Sequence, residues 1–171
     1  METIITGLII TSLLLLVGLT IAEVLLSSQE AILESWREME QRLGEAARTD
    51  LSPVRAQTIS NGDVVEVTLR NEGDTKLADF EQWDVILQYY DGAGSYYTEW
   101  YPFGSGTDEW DVWDIFLEAP TVDEVYDINI LNPGEEAVIW ISVSPAVGTG
   151  TTNLATIATP NGITASTVFT R

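Results

Sequence analysis

The sequence predicts an α+β chain, in which a long N-terminal hydrophobic α-helix is followed by an immunoglobulin-like β-sandwich. One observation is an apolar run from Ile4 to Leu26 in which Glu23 is the single charged residue. The other is a change after Pro53 to short alternating segments separated by turn residues. The expected organisation is therefore a helical segment at residues 1–50 and a β-sandwich outer domain at residues 54–171.

The apolar run is long enough to cross a membrane, because about 20 apolar residues span a hydrocarbon core of ~30 Å. Beyond it, apolar side chains recur three and four residues apart from Ile32 to Leu43, with acidic and basic residues between them. This spacing indicates an amphipathic helix with one apolar stripe. A single helix from near Glu2 to about Ala47 would be roughly 70 Å long at 1.5 Å per residue.

The flank before the apolar run lacks the basic residues that orient most membrane helices, and the first basic residue is Arg37. Two explanations are open. Either Met1 begins a membrane anchor with an unusual orientation signal, or a short basic leader preceded the sequence and was removed. We favour the second explanation.

Small residues recur along one side of the apolar run, at Gly7, Thr11, Gly18 and Ala22. Such a side allows helices to approach closely, so the helix is expected to pack against copies of itself or, alternatively, to serve as a plain anchor. The residues predicted to pack between subunits are Ile4, Ile5, Gly7, Leu8, Thr11, Leu15, Gly18, Ala22, Leu25, Ile32, Trp36, Met39 and Leu43.

Short segments of alternating or apolar character predict the strands of the sandwich. The predicted strands are residues 64–69, 83–90, 96–103, 125–131, 137–143, 156–159 and 163–169. Val65, Val67 and Leu69 should face the core, and residues 137–143 are apolar on both faces, which is typical of a central strand. The sequence Pro160-Asn161-Gly162 predicts a hairpin with a type I′ turn.

The composition excludes several classes of function. The net charge is −20, which argues against nucleic acid as a partner. The absence of His and Cys removes the usual ligands of zinc, copper and iron–sulfur sites, and also the His base of most nucleophilic enzymes. We therefore expect a protein that is not an enzyme, with no cofactor and no small-molecule substrate.

One acidic segment, residues 104–114, carries the strongest hint of a ligand. Asp108, Glu109, Asp111 and Asp114 are weak candidates for a calcium site, because carboxylates beside a glycine-rich turn can supply oxygen ligands. The alternative is an acidic loop whose tryptophans pack on the sandwich. Paired carboxylates and many aromatic side chains also leave a sugar-active surface protein as a remote alternative.

The whole arrangement resembles the archaellins, the filament subunits of the archaeal swimming organelle. The resemblance rests on the helix from Ile4 to Leu26 with its amphipathic continuation, on residues 67–77 with Phe80 and residues 83–85 after them, on Asn132-Pro133-Gly134-Glu135, and on Pro160-Asn161-Gly162. Archaellins are type IV pilin-like, with a cleaved basic leader, a long hydrophobic helix and a β-sandwich.

The resemblance implies a structural subunit of an extracellular archaellum-type motility filament that polymerises through its N-terminal helix. The implied partners are other copies of the chain, and the cytoplasmic membrane before assembly. The alternatives are an archaellum stator or another membrane-anchored β-sandwich protein, or an adhesive type IV-like pilin. Because of the charge of −20, assembly is expected to be strengthened by salt or cations.

Overall fold

The computed structural model describes residues 2–124 and 126–171, with the side chains of Glu2 and Thr3 left out. The chain divides into two compact units, of which the first ends at Leu43 and the second begins at Gly44. Helix α1 spans Glu2–Arg48 without interruption and has a basic residue in its last turn. The predicted single helix is confirmed over the described residues. The expectation about Met1 lies outside them.

Within the residues that the structure describes, nine strands follow the helix and form two antiparallel sheets. The five-stranded sheet has the order β1-β2-β7-β5-β6, and the four-stranded sheet has the order β4-β3-β8-β9. The strands are β1 (Leu51–Ile59), β2 (Val64–Asn71), β3 (Asp84–Tyr90), β4 (Tyr96–Tyr101), β5 (Trp110–Glu118), β6 (Val122–Asp123), β7 (Glu136–Ser142), β8 (Thr152–Ala158) and β9 (Thr164–Thr170). The predicted combination of a long helix and a sandwich is confirmed.

The core lies between the two sheets and follows the predicted alternation. Val65, Val67 and Leu69 of β2 are fully buried. Strand β7 lies between β2 and β5, as its apolar sequence predicts, and Ile139 and Ile141 are also fully buried. Inward side chains at every second position thus fill the space between the sheets.

The predicted strand at residues 125–131 is wrong over the described residues 126–131. Bends and a turn occupy this stretch, and Asp127 and Asn129 have φ values of 57° and 68°. A residue with a positive φ lies outside the β region of backbone conformation, so the chain cannot continue through it as an extended strand. Leu131 makes only an isolated bridge to Leu77. Val125 lies outside the described residues.

The hairpin between β8 and β9 is present, but its turn is not type I′. The N–H of Gly162 donates to the carbonyl of Thr159 at 2.9 Å, which makes Pro160 and Asn161 the central residues. A type I′ turn needs a positive φ at both central residues, and the ring of Pro160 fixes a negative one. The left-handed position is Gly162, with a φ of 86°.

Asn71, at the end of β2, organises the loops at one end of the sandwich. Its side chain is fully buried, and its Nδ2 donates to the carbonyls of Thr75 at 2.8 Å and Leu131 at 3.0 Å. Its Oδ1 accepts the N–H of Gly73 at 3.1 Å. A Cβ at Gly73 would lie 2.5 Å from the carbonyl oxygen of Arg48, so only glycine fits there. The turn after β2 therefore packs tightly on the backbone of residues 48–50.

Two buried tyrosines predict how the sandwich responds to alkali. Burial raises the pKa of Tyr101, which is 1% exposed, and it also raises the pKa of Tyr89. The unfolded phenol ionises near pH 10, so stability that is fully present below that pH is lost as the pH rises above it. We expect Tyr101→Phe to raise the midpoint of alkaline unfolding by about 0.5 pH unit.

This alkaline transition is measured by tryptophan fluorescence of the full chain in detergent. Tyr126→Phe is the control, because the Tyr126 side chain is 79% exposed and should not change the midpoint. An unchanged midpoint for Tyr101→Phe would show that this phenol does not govern alkaline unfolding.

Candidate assembly site

The N-terminal half of α1 exposes apolar side chains on all sides. Within the part of the chain that the structure describes, α1 is the one helix that is long and apolar enough to cross a membrane. Leu8 and Leu15 are 67% and 69% exposed, and every described residue from Ile4 to Leu43 is exposed in the single copy. This much apolar surface requires either lipid or other protein around it.

Hydroxyl side chains in the N-terminal half of α1 form hydrogen bonds with backbone carbonyls of the same helix. The hydroxyl of Thr11 donates to the carbonyls of Gly7 and Leu8, both at 3.0 Å. Those of Ser12 and Thr20 donate to carbonyls three residues earlier, both at 2.9 Å. A helix whose hydroxyls are bonded this way leaves few polar groups unpaired in an apolar environment.

The predicted packing residues include one continuous face, which we call the assembly stripe. At about 100° per residue, its members fall within an arc of roughly 100°. The assembly stripe consists of Gly7, Thr11, Gly18, Ala22, Leu25, Ile32, Trp36, Met39 and Leu43. A Cβ added at Gly7 or Gly18 would meet no atom within 4 Å. The stripe is therefore open for the backbone of another helix to approach.

Of the remaining predicted residues, Ile4 falls at the edge of the same arc, Leu15 and Leu8 lie beside it, and Ile5 lies farther around the helix. Glu23 is about 150° away from the centre of the stripe at this helical repeat. Glu23 is the one acidic residue from Ile4 to Leu26, and it therefore does not interrupt the small-residue face.

The acidic segment uses two of its carboxylates to hold backbone. Glu109 Oε2 accepts the N–H of Gly106 at 2.7 Å. Asp108 Oδ1 accepts the N–H of Ser144 at 2.8 Å, and Asp108 has a φ of 58°. These bonds order the turn before β5 and tie it to the chain beyond β7.

The other two carboxylates lie on β5, so residues 110–114 belong to a strand and not to a loop. Asp114 Oδ1 accepts the N–H of Ile115 at 2.9 Å, and burial raises the pKa of Asp111. Among the described residues, no three acidic side chains come together in a group that could hold a metal ion. The calcium hypothesis gains no support from this arrangement.

A shallow groove of about 300 Å³ lies on the outer face of the five-stranded sheet. The ring of Trp113 borders it and stacks on Trp140 at a centroid distance of 5.0 Å. Glu66 accepts hydrogen bonds from Gln57 Nε2 at 2.7 Å and Trp140 Nε1 at 3.2 Å. The carboxylate is thus occupied by donors of the protein itself, and the arrangement does not present a free acid–base pair.

The outer face of the four-stranded sheet is a feature that the sequence patterns did not single out. We call it the neutral face, because Asp84 is its one charged residue, and the Asp84 carboxylate accepts the indole N–H of Trp100 at 2.9 Å. Strand register places on this face Asp84, Ile86, Gln88, Tyr90, Tyr96, Thr98, Trp100, Thr152, Leu154, Thr156, Ala158, Thr164, Ser166, Val168 and Thr170. Recognising it requires the pairing of β3 with both β4 and β8.

Comparison with solved structures bears on both units. The archaellum periplasmic stator protein FlaG from Sulfolobus acidocaldarius matches at 24% identity with a TM-score of 0.52, over 71% of this chain and 99% of its own. The FlaF and FlaG stator complex from the same organism matches at 24% identity with a TM-score of 0.51, over 70% of this chain and 87% of its own. The archaeal flagellum of Methanospirillum hungatei strain JF1 matches at 14% identity with a TM-score of 0.57, over 97% of this chain and 92% of its own.

The chain has the archaellin-like fold. Its match to the flagellum covers 97% of the chain, which includes most of α1 as well as the β-sandwich. No protein-family model matches the sequence, and no curated protein matches it. At these identities the archaellin-like neighbours establish the fold, and the function of the chain is argued from its surfaces.

Proposed function

We propose that the chain is the structural subunit of an extracellular archaellum-type filament. Helices from many copies would form the filament core, and the sandwiches would form its outer shell. The observation that carries this proposal is the assembly stripe, which runs from Gly7 to Leu43 and is exposed along the apolar part of α1 and beyond it. A membrane anchor needs the apolar part only, whereas a bundle needs the whole stripe.

The extent of the structural matches supports the same proposal. The FlaG match covers 71% of the chain, which is about the share that the β-sandwich makes up, so a match of this extent does not require the helix. The flagellum match covers 97% of the chain, and a match of that extent must include most of the helix. A filament in which both parts are used is therefore the better account of a chain with this helix.

Assembly would draw on different forces inside and outside the membrane. In lipid, apolar surface is already out of water, so close packing at Gly7 and Gly18 would favour helix contacts. Once the copies leave the membrane, each Leu or Ile buried in the bundle is worth about 1.5–3 kcal/mol relative to water. The membrane would thus hold the subunits before assembly, and the filament would be held together by the hydrophobic effect afterwards.

A stator subunit of the same organelle is the second candidate. The 24% identity to FlaG, which exceeds the 14% identity to the flagellum, favours it. In that role α1 would stay in the cytoplasmic membrane and the sandwich would lie outside it. Both candidates are non-catalytic components of an archaellum, and both place the sandwich on the extracytoplasmic side.

Shearing of cells that produce the chain separates the two candidates. Filaments detached by shear, collected by sedimentation and examined by mass spectrometry should contain this chain as their principal protein. Recovery of the chain only in detergent extracts of the membrane fraction would support the stator instead. Electron microscopy of the sheared material shows directly whether it consists of filaments.

Salt provides a further prediction for the filament. With a net charge of −20, the copies repel one another, and about 1 M NaCl shortens the screening length to ~3 Å. We expect the sedimentable fraction of sheared filaments to rise several-fold between about 10 mM and 1 M NaCl. Filaments that are equally stable at low salt in the presence of a chelator would contradict the expected role of repulsion.

A further inference from the structure

The neutral face is unusual on a chain with 27 acidic and 7 basic residues. The outer face of the five-stranded sheet, by contrast, carries Arg55 and Arg70, which lie 3.7 Å from Glu66 and 3.9 Å from Glu136. The neutral face also carries exposed large apolar side chains, those of Ile86, Tyr90, Tyr96, Trp100 and Val168, of which Val168 is 60% and Trp100 57% exposed. A partly apolar face with a single charged residue, on a strongly acidic protein, marks a contact surface.

We infer that the neutral face is the lateral docking surface for the sandwich of a second copy of this chain. The inference rests on the proposed filament. Copies in a helical filament are related by rotation and translation, so a face meets a different surface of its neighbour and never itself. With Asp84 as the one charged residue of the neutral face, nearly all of the 27 acidic and all 7 basic residues lie elsewhere, so two other surfaces in contact would on average repel. A neutral face removes that repulsion from one side of every contact.

The side chains of the neutral face suit an acidic neighbour. Thr156 and Ser166 share a hydrogen bond at 3.0 Å and face outward on adjacent strands. Hydroxyl groups can donate to carboxylates, and the rings and methyl groups around them supply apolar contact area. Because the face holds no Lys or Arg, its contact with a neighbour would depend on hydrogen bonds and apolar burial, and much less on ion pairs.

The size of the face fits a contact that is repeated in a polymer. Four strands about 4.8 Å apart, with six or seven residues each at ~3.3 Å, cover roughly 400 Å² on each copy, or about 800 Å² for a contact. Stable pairs of proteins bury about 1,200–2,000 Å². The neutral face alone is therefore too small to hold a dimer, and it would act together with the packed helices.

The first test adds a negative charge at matched positions on the two sheets. Val168→Asp places a carboxylate on the neutral face, and Val54→Asp places one beside the opposite groove, where Val54 is 52% exposed. Since like charges in a contact are strongly unfavourable, Val168→Asp should lower the yield of sheared filaments at least about tenfold. Val54→Asp and the neutral Val168→Thr should leave the yield within about twofold of the parent chain. Equal yields for the two aspartate variants would overturn the inference.

The second test maps the contact directly, and it uses the absence of cysteine from the chain. Ser166→Cys, labelled with a benzophenone maleimide, should crosslink to neighbouring copies in isolated filaments, at residues outside the neutral face. Filaments that assemble but give only labelled monomers would overturn the docking surface and leave the filament intact. If the parent chain forms no filaments, the proposed function fails. The labelled Ser166→Cys chain in membranes then tests the docking surface separately, because crosslinks between copies would support it and labelled monomers alone would overturn it.

Discussion

Replacing Gly18 with Leu is expected to abolish filaments while the chain still inserts into the membrane. Leucine is apolar and favours helix, so the substitution suits a helix surrounded by lipid. It does not suit a helix whose backbone is approached closely by another helix, where added bulk costs about 1–3 kcal/mol for each contact. Because every subunit repeats that contact, the polymerisation equilibrium should fall about 5- to 150-fold per contact.

Gly18 lies on an exposed stretch of α1, where every described residue from Ile4 to Leu43 is exposed. A Cβ at Gly18 meets no atom within 4 Å, so a loss of filaments would report on contacts between copies. Thr20→Leu is the matched control, because it adds a leucine to the same turn away from the assembly stripe. Shear yield and membrane flotation are measured for both variants. If Gly18→Leu assembles as well as Thr20→Leu, α1 does not pack closely through this stripe.

Asn71→Ala is expected to cause the largest loss of stability in the β-sandwich. The substitution removes three hydrogen bonds from a side chain with no exposed surface, and it leaves the carbonyls of Thr75 and Leu131 without those donors. The Leu131 carbonyl keeps the N–H of Leu77 at 3.0 Å. Lost hydrogen bonds and a buried group left unpaired cost about 1–3 kcal/mol each, so we expect a loss of about 3 kcal/mol. Urea unfolding of the full chain in detergent, followed by tryptophan fluorescence, measures the difference.

The control for Asn71 is Asn132→Ala. Asn132 is only partly buried, and its Nδ2 makes longer bonds to Glu135 at 3.1 Å and Ile130 at 3.3 Å. Its replacement should cost less than about 1.5 kcal/mol. Similar losses for both variants would mean that the turn after β2 is not organised by Asn71.

The helix and the sandwich class follow from the sequence for physical reasons. An unbroken apolar run with an amphipathic continuation has few folded forms other than a helix, and α1 runs from Glu2 to Arg48. Residues 137–143, apolar on both faces, are typical of a central strand, and β7 lies there. In both cases the pattern is long enough to outweigh local preferences.

Other elements were hidden by local signals that tertiary contacts override. Pro53 suggests a break, yet β1 spans Leu51–Ile59, with its irregular register at Pro53/Arg55. The acids of residues 104–114 suggest a loop, yet Trp110 is fully buried and begins β5. Conversely, residues 126–131 are apolar enough for a strand, but left-handed Asp127 and Asn129 prevent it.

The two candidate surfaces differ in how far the sequence reveals them. The assembly stripe follows from spacing along one helix, so Gly7, Gly18 and Leu43 can be placed on it directly. The neutral face is assembled from two hairpins, β3-β4 and β8-β9, that are far apart in the chain. Ile86 comes to lie beside Thr156, and Gln88 beside Leu154, only through the register between β3 and β8. The scarcity of charged residues on the neutral face cannot be recognised until that register is known.

Electron cryomicroscopy of filaments sheared from cells that produce this chain tests the central claim most directly. The proposal predicts a helical polymer whose core density consists of packed α1 helices with the assembly stripe at the contacts, surrounded by a shell of β-sandwiches. Filaments made of another protein, with this chain remaining in the membrane fraction, would contradict it.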